Sequence, residues 1–381
     1  MATRYVGPGG NDANSGLTWA LRKLTLNGVE DTPVQAGDTV YVGPGTYREA
    51  LTCDVSGVAG SPITYIGDYT GANTDGVGGM VRITGSNNDQ TQTRSACITC
   101  GAQRNYRTFR GFLADMATQW TISSGSGFGG VGWVIEQCAI QTGGGVDTSG
   151  VIANGANQSG WTVRNCLFFG AVRQTTGVQF YHSANVDNAG HLVESCIFAA
   201  SYYGMGVSLT RVGGVTVRNC VFAGPLSAVR IGTALTPGQV VTVNNCIIGG
   251  CGQALYATAL GELVEDYNAL FGNGTDRTNV AVGAHSNAYP PLWDMRWFFQ
   301  LLNEGAGPAS ATQVVTPFDL ASYSQLLNVA GTAPPTTDLR GTAIQGAARE
   351  WGALEYDSTL KVESGAAAGG MLAANKRGNK Q

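Results

Sequence analysis

The chain is poor in charge. Of 381 residues only 13% are Asp, Glu, Lys or Arg, only four are lysine, and the net charge is −4. Between residues 131 and 260 there are nine charged residues in all. No basic field exists to draw in nucleic acid, and residues that favour solvated helices are scarce. No run of 18 apolar residues occurs, so no helix of the sequence can span a membrane. The opening Met1-Ala-Thr-Arg-Tyr-Val-Gly lacks the apolar centre of a secretory leader and leads straight into structured sequence, so export by a signal peptide is not expected. No Gly-rich phosphate loop, Ser-His-Asp set or zinc-finger spacing is present. What the chain has in abundance is glycine, 56 residues, and repetition.

Five times between 133 and 248 one pattern recurs: an apolar residue, two polar ones, a cysteine, and an apolar residue two places on. The copies are Ile135-Glu-Gln-Cys138-Ala-Ile140, Val163-Arg-Asn-Cys166-Leu-Phe168, Val193-Glu-Ser-Cys196-Ile-Phe198, Val217-Arg-Asn-Cys220-Val-Phe222 and Val243-Asn-Asn-Cys246-Ile-Ile248, with cysteines 28, 30, 24 and 26 residues apart. Units of this length cannot bury their own apolar faces, so they must stack. From each cysteine onward the alternation has period two, that of a half-buried strand. The step of three from Val163 to Cys166 breaks that parity and requires a corner, at Asn165, Asn219 or Asn245 in three copies. Asparagine tolerates the left-handed backbone such a corner needs. A third apolar stretch follows about a dozen residues later: Gly150-Val-Ile, Gly177-Val-Gln-Phe, Gly206-Val-Ser-Leu, Ala228-Val-Arg-Ile and Ala254-Leu-Tyr. Three short strands per coil predict an all-β parallel solenoid. The phase continues outward, with Phe112 in the cysteine slot of Phe109-Arg-Gly-Phe112 and Tyr267 in that of Val264-Glu-Asp-Tyr267; some nine or ten coils are expected.

The nine cysteines read as reduced structural thiols. Five form one inward column (Cys138, Cys166, Cys196, Cys220 and Cys246), filling space as small hydrophobes. Cys97 and Cys100 point to opposite faces of a strand and lack a second pair at metal spacing. The organisation expected is an N-terminal cap and first coils over 1–60, the solenoid over 61–288, a C-terminal cap or interface segment over 289–360, and a flexible or partner-bound tail over 361–381. Trp19-Ala-Leu-Arg-Lys-Leu-Thr-Leu reads as a short amphipathic helix plugging the first coil, whose open edge would otherwise invite aggregation.

The two ends carry a resemblance. Tyr5-Val-Gly-Pro-Gly-Gly-Asn-Asp-Ala-Asn-Ser-Gly16 with Ala36-Gly-Asp-Thr-Val-Tyr-Val-Gly-Pro-Gly-Thr-Tyr47 resembles the N-terminal cap of pectate-lyase-like, right-handed parallel β-helix proteins, and Thr337-Asp-Leu-Arg-Gly341 through Trp351-Gly-Ala-Leu-Glu-Tyr356 is similar to their closing segment. The resemblance implies a right-handed parallel β-helix with a short capping helix and an irregular C-terminal cap, of the kind found in tailed-phage virion proteins. It does not imply one function, because the fold carries lyases, hydrolases, adhesins and phage spikes. It also implies a homotrimer, and for the family's enzymes an arginine or lysine base beside calcium-holding acids, or two or three close aspartates.

Such an acidic constellation is not apparent here. Glu136 and Glu194 stand two coils apart, at the far limit for a pair of glycosidase carboxylates. Two residues before the cysteine, successive coils carry Glu136, Arg164, Glu194, Arg218 and Asn244, which reads as a structural ladder of alternating charge. His182, Asp187 and His191 match no metal spacing and read as a polar loop. Tyr202, Tyr203 and Asp187 are candidate glycan contacts. Trp133 and Trp161 read as packing ahead of a sugar platform. Trp293 and Trp297, within an aromatic run through Phe298, Phe299 and Leu301, read as core or subunit contact, and Lys376, Arg377 and Lys380 as an assembly arm that other virion proteins would bind. No catalytic residue, metal or cofactor is expected. Free thiols suit assembly in a reducing cytoplasm. The expected function is therefore a non-enzymatic virion component, a head decoration, fibre or tail spike assembled in the host cytoplasm. The alternatives are a polysaccharide-degrading tail spike that acts on a host surface glycan and a secreted adhesin.

Overall fold

The computed structural model describes residues 1–286 apart from 33, 126, 128, 129, 142–147, 156, 171–174 and 201–203. Among them three parallel sheets of 10, 9 and 9 strands enclose one interior. The first sheet runs from Thr3–Val6 to Leu263–Asp266, the second from Gly45–Tyr47 to Ala269–Phe271, and the third from Leu51–Cys53 to Thr275–Thr278. Each regular coil gives one strand to each sheet in that order, as in Thr162–Arg164, Leu167–Gly170 and Thr176–Val186. The fold is a right-handed parallel β-helix, the hand that parallel crossovers take. At strand spacing the stack is roughly 43 Å long.

The first corner makes the repeat. Asn165, Asn219 and Asn245 have φ of 53°, 55° and 55°, and Gln137, Ser195 and Tyr267 occupy the same position at 53°, 52° and 55°. This left-handed bend lets the valine before it and the cysteine after it both face inward. The hydrogen-bond ladder continues through the bend: Asn165 N donates to Glu194 O at 3.1 Å in the next coil, and Leu167 N to Cys138 O at 2.9 Å in the previous one. One phase differs from the sequence expectation. Val243 pairs with Glu265 and Asn244 with Asp266, so Tyr267 stands at the corner and Asn268 fills the cysteine slot. Asn268 replaces the thiol with hydrogen bonds, accepting from Cys246 N and donating to Val243 O and Glu265, each at 2.8 Å.

Inside, like stacks on like. Phe168, Phe198 and Phe222 lie ring over ring at 4.8 and 4.6 Å, and Trp133 and Trp161 at 4.9 Å. Both tryptophans are fully buried, with indole N–H groups donated to Arg104 O and Gly130 O at 2.7 Å; they pack the interior and offer no sugar platform. The phenylalanine column explains the small residue at the second position of the third-sheet strands from Ser149–Asn154 to Gln253–Tyr256. A Cβ on Gly206 would lie 2.5 Å from the Phe222 ring. One coil on, where Ile248 replaces phenylalanine in that column, the small position carries Ala228.

The N-terminal plug sits later than the sequence suggests. Trp19–Leu21 forms only a 3-10 turn, after which Arg22 is extended. The Arg22 guanidinium lies 4.4 Å over the Trp19 ring and bonds Pro8 O, which holds it out of a helix. The helix α1 is Leu26–Glu30, capped by Thr25, whose hydroxyl accepts from Gly28 N at 2.9 Å. Asp12 fixes the cap by accepting from Leu24 N and Thr25 N, and Glu49 accepts from Leu26 N and Asn27 N. The inner end of α1 is anchored by an ion pair with no exposed side-chain surface. Arg107 donates to both Glu30 oxygens at 2.6 and 2.9 Å, and Tyr65 OH and Asp54 N donate to the same carboxylate.

At the other end, two inward apolar columns turn polar. The Val243 column continues as Glu265 and the Leu255 column as Arg277, and the two pair at 2.7 Å. Residues 279–286 fold over this pair, with Gly283 N donating to Glu265 at 2.8 Å and His285 N to Asp266 at 2.8 Å. No helix among the described residues is long and apolar enough to cross a membrane.

Candidate functional site

The three outer faces differ in chemistry. On the first sheet one row reads Arg110, Glu136, Arg164, Glu194, Arg218, Asn244, Asp266 through successive registers. Glu136 lies 2.6 Å from Arg164 and 3.6 Å from Arg110, and Glu194 lies 2.8 Å from Arg218. These side chains are bound to one another along the rod axis.

The cysteines of the repeat are stacked in the interior and wholly buried. Each thiol donates to the carbonyl two residues before it, for example Cys166 to Arg164 O at 3.2 Å and Cys220 to Arg218 O at 3.2 Å. All nine cysteines are unpaired and buried. Burial pushes the thiols of Cys138, Cys196 and Cys246 well above the ordinary range.

The histidine group separates. His191 is buried, its ring 4.1 Å over Phe180 and its Nδ1 accepting from Trp161 N at 3.1 Å; burial lowers its pKa to about 3. His182 is held by Ala184 N at 3.0 Å, while Asp187 is exposed. Among the described residues no three His, Cys, Asp or Glu side chains are grouped to hold a metal ion. Asp187 follows the end of the strand Thr176–Val186. Tyr202 and Tyr203, like Trp293, Trp297, Lys376, Arg377 and Lys380, lie outside the described residues.

The face with recognition chemistry is the third sheet, whose strands are the longest, reaching 11 residues in Thr176–Val186. Its outward rows read Ser149, Thr176, Met205, Ser227, Gln253, Thr275 and Ile152, Gln179, Ser208, Arg230, Tyr256, Thr278. Ser149 Oγ donates to Gln179 Oε1 at 2.7 Å, and Gln253 Nε2 to Thr278 Oγ1 at 2.8 Å. The Arg230 guanidinium lies 5.1 Å from the centre of the Tyr256 ring. Ser149, Thr176, Ser227, Ile152 and Ser208 are buried, which leaves Gln179, Arg230, Gln253, Tyr256, Thr275 and Thr278 as the partly or fully exposed groups that can bind hydroxylated or anionic chains. Neither row contains a carboxylate, so neither offers the acid and base pair of glycoside cleavage. The Arg230–Tyr256 pair was missed from the sequence, although its separation of 26 residues equals the local cysteine period. A hollow of about 320 Å³ at the N-terminal end is lined by Pro8, Leu24, Thr25, Thr46, Arg48 and Glu49. Its Glu49 carboxyl, raised by burial, is turned inward to cap α1.

The profile of the family described as "Right handed beta helix region" matches residues 149–286. No curated protein matches the chain in sequence. Among solved structures, that of pectate lyase Pel9A is similar at 15% identity over 94% of this chain and 97% of that one, with a TM-score of 0.54. The complex of XylC with xylose follows at 13%, 70%, 69% and 0.40, and a rhamnogalacturonan lyase at 15%, 76%, 86% and 0.39. At these identities the likeness is one of fold.

Proposed function

We propose that this chain is a non-enzymatic structural component of a tailed-phage virion, a head decoration, fibre or tail spike built as a β-helical rod. The observation that supports the reading is the use made of charge. On the first sheet Arg110, Glu136 and Arg164, and Glu194 with Arg218, are spent on axial pairing, which fixes register between coils, as a rod requires. Reduced, buried thiols suit assembly in a host cytoplasm. The proposed assembly is a homotrimer that meets other virion proteins through residues beyond 286. The test is immunogold microscopy and quantitative mass spectrometry of purified tailed particles from the source of the gene. Stoichiometric copies at one location are expected; a chain absent from purified particles refutes the role.

A second reading, a spike that acts on a host polysaccharide, is favoured by one observation, Arg230 over Tyr256 within the polar third-sheet face. Under it, Arg230→Ala should weaken binding of an acidic oligosaccharide at least ~10-fold, the loss of about one charge-assisted contact. Release of reducing or unsaturated ends would mark the enzyme. Unchanged binding and intact glycan leave the scaffold reading alone.

A further inference from the structure

From Leu113 to Ala269 the second sheet carries an apolar row on its outer face, which gives way to Arg82 and Thr46 toward the N-terminal end. Along its strands the interior side is set by Phe168, Phe198 and Phe222, which stack in the core, so the alternate positions point away from it. Those positions form the row Leu113, Ala139, Leu167, Ile197, Val221, Ile247, Ala269. None of the seven belongs to the interior cluster, yet from Ala139 to Ala269 none is more than 1% exposed. A strand buried on both faces has a cover on each. Among the described elements the second-sheet strands pack chiefly on their own neighbours in that sheet, so the cover comes from elsewhere.

We propose that this strip is the docking site for the chain's own segment 289–302, Tyr289-Pro-Pro-Leu-Trp293-Asp-Met-Arg-Trp297-Phe-Phe-Gln-Leu-Leu302. The path of the chain selects this occupant. Asn268 N donates to Ser286 Oγ at 3.0 Å and His285 stacks on Tyr267 at 4.3 Å, so the chain reaches residue 286 beside the corner that precedes Ala269, at the foot of the strip. Six coil spacings, roughly 29 Å, separate Ala269 from Leu113. Fourteen residues can reach about 46 Å, enough to run the length of the strip. The segment is also of matching chemistry, with Trp293, Trp297, Phe298, Phe299, Leu301 and Leu302 against leucine, isoleucine and valine.

The test uses the full-length protein with a photo-crosslinking benzoylphenylalanine in place of Val221. Irradiation should give a cross-link within one chain, to a peptide from 289–302. Trypsin supplies an independent arm, since Arg296 lies within the segment. Cleavage there should be slow in the unaltered protein and at least tenfold faster in Ile197→Asp/Val221→Asp. It should be unchanged in Thr216→Asp/Thr242→Asp, which places the same charges on the first sheet's outer face. A cross-link joining two chains would assign the strip to a second copy and overturn the proposal. So would a cross-link to another segment, no cross-link at all, or Arg296 cleaved equally fast in all three proteins.

Discussion

Replacing Glu30 by glutamine should unlock the N-terminal cap. The substitution keeps size and polarity but leaves the Arg107 guanidinium, wholly withdrawn from water, without its counter-charge. Removing one member of a buried pair costs about 3–5 kcal/mol, and here three donors converge on the carboxylate: Arg107, Tyr65 OH and Asp54 N. For a chain of this size the melting temperature should fall by roughly 5 °C. Because coils contact only their neighbours, the loss should concentrate at the N-terminal end. Thermal unfolding by circular dichroism reads the total, and hydrogen exchange of residues 26–66 against 215–249 reads the location. Glu30→Leu/Arg107→Leu, which removes both charges, should lose less than Glu30→Gln. The pH dependence follows from the same geometry. Burial acts to raise the Glu30 carboxyl, but the hydrogen bonds and charge of Arg107 outweigh it and the net shift is downward. The folded value lies below the unfolded one, so the contribution is complete above about pH 4.3 and is lost as pH falls through the folded value. The gap between the unaltered protein and Glu30→Gln should therefore narrow below about pH 4. A Glu30→Gln protein within about 1 kcal/mol of the parent, with uniform exchange, would show that the pair does not anchor the cap.

Three further outcomes follow from the coil geometry. Gly206→Ala should destabilise by about 1–3 kcal/mol in denaturant titration, because its Cβ meets the Phe222 ring and Ala228 O. Ser195→Gly should be neutral or stabilise by up to ~1 kcal/mol by the same assay, since the strain of a left-handed serine is relieved against a smaller entropic cost. In the folded protein a disulfide thiol reagent should label none of the nine buried cysteines within minutes, and all of them after denaturation.

The solenoid was legible because its information is periodic. A corner residue, an inward cysteine and an inward aromatic recur at fixed offsets, and any one coil confirms the next. The cap was not legible in this way. Glu30 and Arg107 are 77 residues apart, and nothing local to either announces a partner. The helix was expected at Trp19 because Trp-Ala-Leu-Arg-Lys-Leu has helical spacing, but Arg22 satisfies Pro8 O and stacks on Trp19, and Thr25 with Asp12 makes the better start. Tyr267 was placed one step late because the cysteine slot was expected to stay apolar. At the last coil Asn268 fills it with hydrogen bonds instead. The third-sheet pair Arg230 and Tyr256 falls in a part of the coil where hydroxyls and amides alternate without a conspicuous repeated residue, so only register brings them together.

The outer faces bear on function because a uniformly solvated rod would carry the same mixture on every side. Here the first sheet shows mainly threonine and paired charge, the third mainly hydroxyls and amides, and the second a closed apolar strip. Burial on both faces of Leu167–Gly170 and its stacked counterparts withdraws about 1.5–3 kcal/mol of transfer free energy for each fully covered Leu, Ile or Val. Four such positions, Leu167, Ile197, Val221 and Ile247, lie in line. A stabilisation of that size holds a cover in place, and losing the cover would expose a contiguous apolar patch prone to association. The rod is thus committed on one side to a covering segment. The part-exposed ladder tolerates solvent at its arginines, and the third sheet's polar face carries what recognition chemistry the described rod displays. Deleting residues 287–381 separates the roles: self-association should rise, while any glycan affinity that depends on Arg230 should persist. Loss of that affinity on truncation would place the binding face elsewhere.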